Sequence, residues 1–346
     1  MVDKVYKNIV VRLPNWIGDA VMAMPAIGCI RNASPDARIT LLGKPSVNEL
    51  YRYRDDINQI LDFKLPGGKN KLSAMREFSE CLRDCKFDLG IVLPDSFSSA
   101  LVFKLGKVNG IAGYRSELRS FMLSTPINQP DSDIHRSQKY LNLVSAVLGT
   151  DCDEPSDSLF VAIPEKTEER VRRLAAELRR FAVICPTSRA PSRRWGEDKY
   201  TELVSRLSAE MGYSIVLAGA PEEAQILERV GRSAGVQFHN LASDGDILFS
   251  IAMMSYSEVF VGNDSGAAHL AAASGTRVVS ISGADDPTET RPLARVGRIV
   301  DGQVECSPCV KNVCPRKENI NLCMDVISVD RVLNAVKDIL KIEKTD

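Results

Sequence analysis

Residues 8–27 read NIVVRLPNWIGDAVMAMPAI. The first six form a short apolar run rich in β-branched residues, the pattern of a buried strand. A turn containing Gly18 follows, and from residue 19 to about residue 31 apolar side chains recur at helical spacing. A buried strand that turns directly into a helix is the opening of a βαβ unit, and such units build parallel sheets covered by helices.

The same alternation continues in both directions from this reading. ARITLLG (37–43) and FDLGIVL (87–93) are further strands, DINQILDF (56–63) is another, and MREFSECLRDC (75–85) is helical between them. From residue 151 to 166 the chain turns acidic, polar and proline-bearing (DCDEPSDSLFVAIPEK), as linkers do, and a charged helix is expected at 165–180. The alternation then restarts with strands at 181–186, 213–219, 258–262 and 277–282, and with helices at 197–211, 221–234, 246–255 and 266–274. Two Rossmann-like α/β domains are therefore expected, 1–165 and 166–328. A tail, 329–346, carries Val332, Leu333, Val336, Ile339 and Leu340 on one face of an amphipathic helix.

Bulk properties narrow the function class. A chain of 346 residues is long enough for two separate cores, and 44% hydrophobic with 26% charged residues is a globular rather than a disordered composition. A net charge of −1 argues against a general nucleic-acid binder, so any anion site must be local. The amino terminus lacks the apolar core of a signal peptide, and no stretch reaches the about 18 apolar residues of a spanning helix. The expected location is cytoplasmic. Nine cysteines are then expected to be reduced: Cys29, Cys81, Cys85, Cys152 and Cys185 are scattered, and four cluster late.

Five places bear residues suited to chemistry. Asp19 follows the first strand at the start of a helix, where open α/β sheets bind ligands beyond their carboxyl ends; it reads either as a general base or as a helix cap. In VGNDSGAAHLAAASG (261–275), Asp264, Ser265 and Gly266 lead into a small-residue helix whose amides suit a diphosphate, with His269 in its first turn; a capped, tightly packed helix with a satisfied imidazole is the alternative. PTSRAPSRRWG (186–196) offers the Thr187 and Ser188 hydroxyls with the Arg193 and Arg194 guanidinium groups, a phosphate grip or a solvated basic loop.

LAGAPEE (217–223) places carboxylates at a strand-to-helix turn, where they take ribose hydroxyls or complement the helix dipole. CSPCVKNVCPRKENINLC (306–323) holds Cys306, Cys309, Cys314 and Cys323, a set able to bind a structural zinc or to remain as free thiols. No HExxH, Walker or nucleophile-triad pattern is present, and the first strand lacks the glycine fingerprint of a dehydrogenase.

Taken together, LPNWIGDAVMAMPAI, TSRAPSRRW, LAGAPEE, GNDSGAAHLAAASG and the cysteine tail resemble glycosyltransferase family 9, the ADP-heptose:lipopolysaccharide heptosyltransferases, and most resemble its heptosyltransferase II type. The resemblance implies a GT-B fold with a lipid acceptor on the first domain, ADP-heptose on the second, reaction in the cleft between them, and a last helix crossing back to the first domain. It implies Asp19 as catalytic base and Arg193, where the family usually has lysine, as the cation at the leaving ADP. Thr187 and Ser188 match phosphate contacts and Glu223 the ribose contact. Asp264, Ser265, in place of a frequent threonine, Gly266 and His269 match the diphosphate and sugar site.

Arg115 and Arg119, in GYRSELRS, are expected to meet the phosphate and Kdo carboxylates of a lipopolysaccharide inner-core acceptor, or to form a basic turn. No cofactor is expected to be required for catalysis, no nucleic acid is an expected partner, and the protein is expected to touch the inner face of the inner membrane transiently. Within the family another nucleotide sugar or glycan acceptor stays open, and a non-catalytic nucleotide-sugar binding module is the rival from another class.

Overall fold

The computed structural model describes residues 5–63, 71–116, 118–131, 133–152, 159–243 and 246–342, and of 71–77 the backbone. The chain divides into two compact units, Met1–Ala162 and Ile163–Asp346. Part of the expected linker, 153–158, lies outside the described residues.

In the first unit the strands are β1 (Asn8–Arg12), β2 (Arg38–Gly43), β3 (Gln59–Asp62), β4 (Leu89–Val92), β5 (Gly110–Tyr114) and β6 (Thr125–Ile127), in the order β3-β2-β1-β4-β5-β6. The second unit holds β7 (Phe181–Cys185), β8 (Ser214–Leu217), β9 (Phe238–Asn240), β10 (Val259–Asn263), β11 (Val278–Ser282) and β12 (Gly297–Asp301), in the order β12-β11-β10-β7-β8-β9. Every pairing in both sheets is parallel. The two sheets thus share one topology: the first and fourth strands of each unit are neighbours, and the chain runs outward from them in opposite directions. At that reversal the loops leaving adjacent strands part, and a crevice opens beyond the carboxyl ends.

The centre of each sheet is apolar on both faces. β4, β7, β10 and β11 are buried at every position, whereas the edge strands β3, β6 and β9 have no buried residue. This contrast is what two-sided helix cover of a parallel sheet imposes.

The tail differs from expectation. Helix Val329–Leu340 does not direct its apolar stripe to the first unit; Val332, Leu333, Val336 and Ile339 join the core of the second unit with Ile281, Val300 and Leu207. The open flank of β11 and helix Glu197–Met211 gives that stripe a surface within its own domain.

Two cysteines also correct the reduced-thiol expectation. Cys29, on helix Met24–Ala33, and Cys152, just beyond helix Arg136–Leu148, form a disulfide with Cα atoms 5.7 Å apart. These helices pack on each other, which joins residues 123 apart in sequence; the other seven cysteines are free thiols. Closing so long a loop restricts the unfolded chain, so reduction is expected to lower the stability of the first unit by roughly 2–4 kcal/mol. Thermal melts with and without reductant should show that difference in the native chain and none in Cys152→Ser.

Candidate active site

Asp19 stands just past the end of β1, at the topological reversal of the first sheet. The turn before it is fixed from beneath by Arg12, whose buried guanidinium donates from Nη1 to the carbonyls of Leu13 (2.5 Å) and Leu42 (3.2 Å) and from Nη2 to Asn15 Oδ1 (2.7 Å). Burial pushes the Arg12 pKa down to about 10.

Helix Ile17–Met22 has Trp16, not Asp19, at its N-cap, so the capping reading of Asp19 does not hold. Asp19 is the helix's third residue, and its Oδ1 accepts a 2.9 Å ion pair from Arg136 Nη1 at the start of helix Arg136–Leu148. This leaves a carboxylate oriented by one arginine and partly open to solvent.

The two arginines expected at the acceptor separate. Arg115 is exposed. Arg119 is buried, and its guanidinium is spent on the loops that leave β4 and β5: Nε and Nη2 donate to the Tyr114 carbonyl at 3.0 and 2.7 Å, Nη1 donates to the carbonyls of Pro94 and Ser96, and Nη2 reaches Asp95 Oδ1 at 3.4 Å. Arg119 is therefore a loop tie and not a solvent-facing anion contact; a buried guanidinium is retained where carbonyls satisfy its donors.

In the second unit the predicted groups cluster beyond β7, β8 and β10, again at the reversal. Thr187 Oγ1 donates to Glu223 Oε2 at 2.7 Å, and the Ala220 amide donates to the same oxygen at 2.8 Å. Gly219 makes this contact attainable: a Cβ there would lie 3.2 Å from Glu223 Oε2 and 3.4 Å from Thr187 Oγ1. Asn263, the last residue of β10, moors the 186–195 loop, donating from Nδ2 to the carbonyls of Pro186 (3.1 Å) and Thr187 (3.2 Å) and accepting from the Trp195 amide (3.1 Å). Ser188 is buried and its carbonyl takes Arg194 Nε at 2.8 Å.

Arg193, on the turn Pro191–Arg193, forms a 2.7 Å ion pair from Nη2 to Asp285 Oδ1. Asp264 is buried, and its Oδ2 accepts from Ser282 Oγ at 3.2 Å. Its pKa is pushed up to about 7, by burial first and then by the charge of Asp285, against the opposing pull of Arg193 and Ser282. Ser265 is the N-cap of helix Gly266–Ala273, yet its side chain makes no cap bond, and among the described residues its buried Oγ has no hydrogen-bond partner. Gly266 opens that helix, and His269, at its fourth position, is buried as the packing alternative requires. Beyond these strands stand an arginine, two carboxylates and a hydroxyl at a helix N-terminus, groups able to meet the phosphate and hydroxyl oxygens of a ligand.

The cysteine tail is close enough for its charges to interact: the Cys323 thiol is pushed up by burial first and then by Cys306, Cys309 and Cys314. Among the described residues, however, no group of three or more His, Cys, Asp or Glu side chains is placed to hold a metal ion. A surface concavity of about 590 Å³ lined by Arg31, Asp36, Arg38, Asp55 and Asp56 lies at the amino end of β2, away from these groups.

Three contributors escaped the sequence reading. Arg136, Asn263 and Asp285 each act on a predicted residue from a distant part of the chain; only Asn263, one residue before Asp264 at a strand end, had a local signal.

Residues 75–320 match the family described as Glycosyltransferase family 9 (heptosyltransferase). The chain is 26% identical over 305 residues to lipopolysaccharide heptosyltransferase 2 of Escherichia coli strain K12, a match covering 85% of this chain and 87% of that protein. It is 24% identical over 338 residues to lipooligosaccharide heptosyltransferase 2 of Campylobacter jejuni serotype O:2, covering 96% and 98%. In fold it matches the glycosyl transferase family 9 from Veillonella parvula with a TM-score of 0.84 at 18% identity, covering 98% and 99% of the two chains. It matches E. coli ADP-heptose lps heptosyltransferase II with a TM-score of 0.78 at 21% identity, covering 96% and 98%.

Proposed function

The chain belongs to glycosyltransferase family 9, and from that premise we propose that it moves a heptose from ADP-heptose onto the inner core of lipopolysaccharide, with inversion at the anomeric carbon. The observation that carries the reading is the family match over residues 75–320, with the curated relatives that supply the sugar and the acceptor class by name.

In this scheme Asp19 takes the proton from an acceptor hydroxyl as that oxygen attacks the anomeric carbon. The bond from that carbon to the ADP oxygen breaks, and the leaving diphosphate gains negative charge. Arg193 and the amides opening helix Gly266–Ala273 stabilise that charge, so the scheme requires no metal. Glu223 accepts from the ribose hydroxyls, Thr187 and Ser188 flank the phosphates, and Asp264, Ser265 and His269 line the diphosphate and sugar. Arg115 is the remaining arginine for the phosphate or Kdo carboxylate of the acceptor.

Among the described residues no helix is long and apolar enough to cross a membrane. Access to a lipid-anchored acceptor is by transient contact with the inner face of the inner membrane, from the cytoplasm.

Mass spectrometry of products formed from ADP-heptose with Kdo-only and with heptosylated acceptor lipids tests donor, acceptor and class together. A mass increase of one heptose is expected with the heptosylated acceptor. Transfer from a UDP- or GDP-sugar instead would replace the donor, and tight ADP binding without any product would leave a binding module.

A further inference from the structure

We propose that Asp285 is a positioning residue for the transfer, aiming the Arg193 guanidinium at the diphosphate; the inference rests on the donor reading above. Asp285 lies on the loop beyond β11, is buried, and holds Arg193 by one edge through the 2.7 Å contact from Nη2 to Oδ1. Among the described residues the buried Nε of the same guanidinium has no hydrogen-bond partner, so the arginine is clamped with a donor still unspent. A carboxylate beside an anion site opposes the anion unless its charge is consumed. Here two buried carboxylates, Asp264 and Asp285, share the charge of Arg193. Pairing Asp285 with Arg193 consumes that charge and fixes a side chain that otherwise has several free torsions.

The backbones of the two partners are set independently of the ion pair. On the arginine side, Ser192 Oγ donates to the Lys311 carbonyl (2.5 Å), the Ser192 amide to that of Asn312 (3.2 Å), and Asn321 Nδ2 to that of Pro191 (2.9 Å). On the aspartate side, Ser307 Oγ donates to the Gly283 carbonyl, and the amides of Cys309 (3.1 Å) and Val310 (2.7 Å) donate to that of Ala284. One strap, residues 307–321, is stitched to both turns. Deleting the Asp285 carboxylate therefore releases the guanidinium and leaves the loops where they are.

Titration calorimetry with ADP as the probe, on Asp285→Ala, Asp285→Asn, Arg193→Ala and the Arg193→Ala/Asp285→Ala double variant, tests this, with melting curves to establish that each is folded. Asp285→Ala is expected to weaken ADP binding about tenfold, the scale of one hydrogen bond to a charged group. Asp285→Asn, which keeps an acceptor for Nη2, is expected to stay within about threefold of the native chain. In the Arg193→Ala background, removing Asp285 is expected to change nothing further. Equal effects of Ala and Asn, tighter binding in Asp285→Ala, or the same loss with and without Arg193 would each overturn the proposal. A native chain that binds no ADP sinks the donor reading itself, and the role of the pair with it; a native chain that binds ADP with additive variants sinks the pair alone.

Discussion

Asp19→Ala should reduce heptose transfer by roughly 10²- to 10⁴-fold while leaving ADP affinity unchanged. The direction follows from where the groups sit: Asp19 belongs to the first unit, whereas Thr187, Arg193, Glu223 and Asp264 all belong to the second. Asp19→Asn makes the test sharper. It preserves an Oδ1 acceptor for the 2.9 Å contact from Arg136 and removes only the capacity to take a proton. A base is lost in both variants, so both should show the fall in kcat; a residue that merely tied helix Arg136–Leu148 to the β1 turn would be rescued by Asn. Transfer within a few-fold of the native rate in Asp19→Asn would remove the base from the scheme.

The second large effect concerns pH. Asp264 carries a carboxyl whose pKa rises from 3.8 to about 7 on folding, chiefly through burial and then through Asp285. The folded chain therefore holds this proton more tightly than the unfolded chain, and between pH about 4 and about 7 stability falls as pH rises. Above that window the burial of the charged form is felt in full, and below it the difference vanishes. Asp264→Asn is nearly isosteric and cannot ionise. Its melting temperature relative to the native chain should be close to even at about pH 4 and several degrees higher at pH 8, corresponding to a few kcal/mol. Taking the difference between the two proteins cancels the titration of the rest of the molecule. An equal offset at both pH values would show that the Asp264 carboxyl titrates in the ordinary range.

Much of this arrangement was legible because its central parts are also its most apolar. NIVVR, FAVIC and VVSIS are runs that can only be buried strands in an alternating chain, and the glycine-bearing turns after β1 and β10 marked where ligands meet the sheet. The outlying strands β5, β6 and β9 were not legible, whereas the edge strand β3 lies inside the predicted DINQILDF. GIAGY at β5 carries two glycines, TPI at β6 is three residues with a proline, and FHN at β9 is short and half-exposed; local pattern carries little there because pairing with an inner neighbour does the work. The site shows the same division. Asp19, Arg193, Glu223 and Asp264 stand next to turn signals, whereas Arg136 meets Asp19 across 117 residues and Cys29 meets Cys152 across 123. Such pairs are products of topology, and nothing in either local sequence announces the other. Arg119 failed for the opposite reason: an arginine in a polar turn looks like a surface cation, and only the convergence of three carbonyls around it turns it inward.

The placement of both halves of the chemistry beside the first and fourth strands of their sheets has a consequence for motion. Amide exchange in such a sheet proceeds by partial openings that begin where packing is thinnest. The half-exposed strands β3, β6 and β9 are expected to exchange first, and β1, β4, β7 and β10, protected on both faces, last. The proposed base and the proposed donor grip are thus carried, each within its own unit, by the segments expected to persist longest, so the periphery of each sheet can breathe on a fast timescale without displacing them.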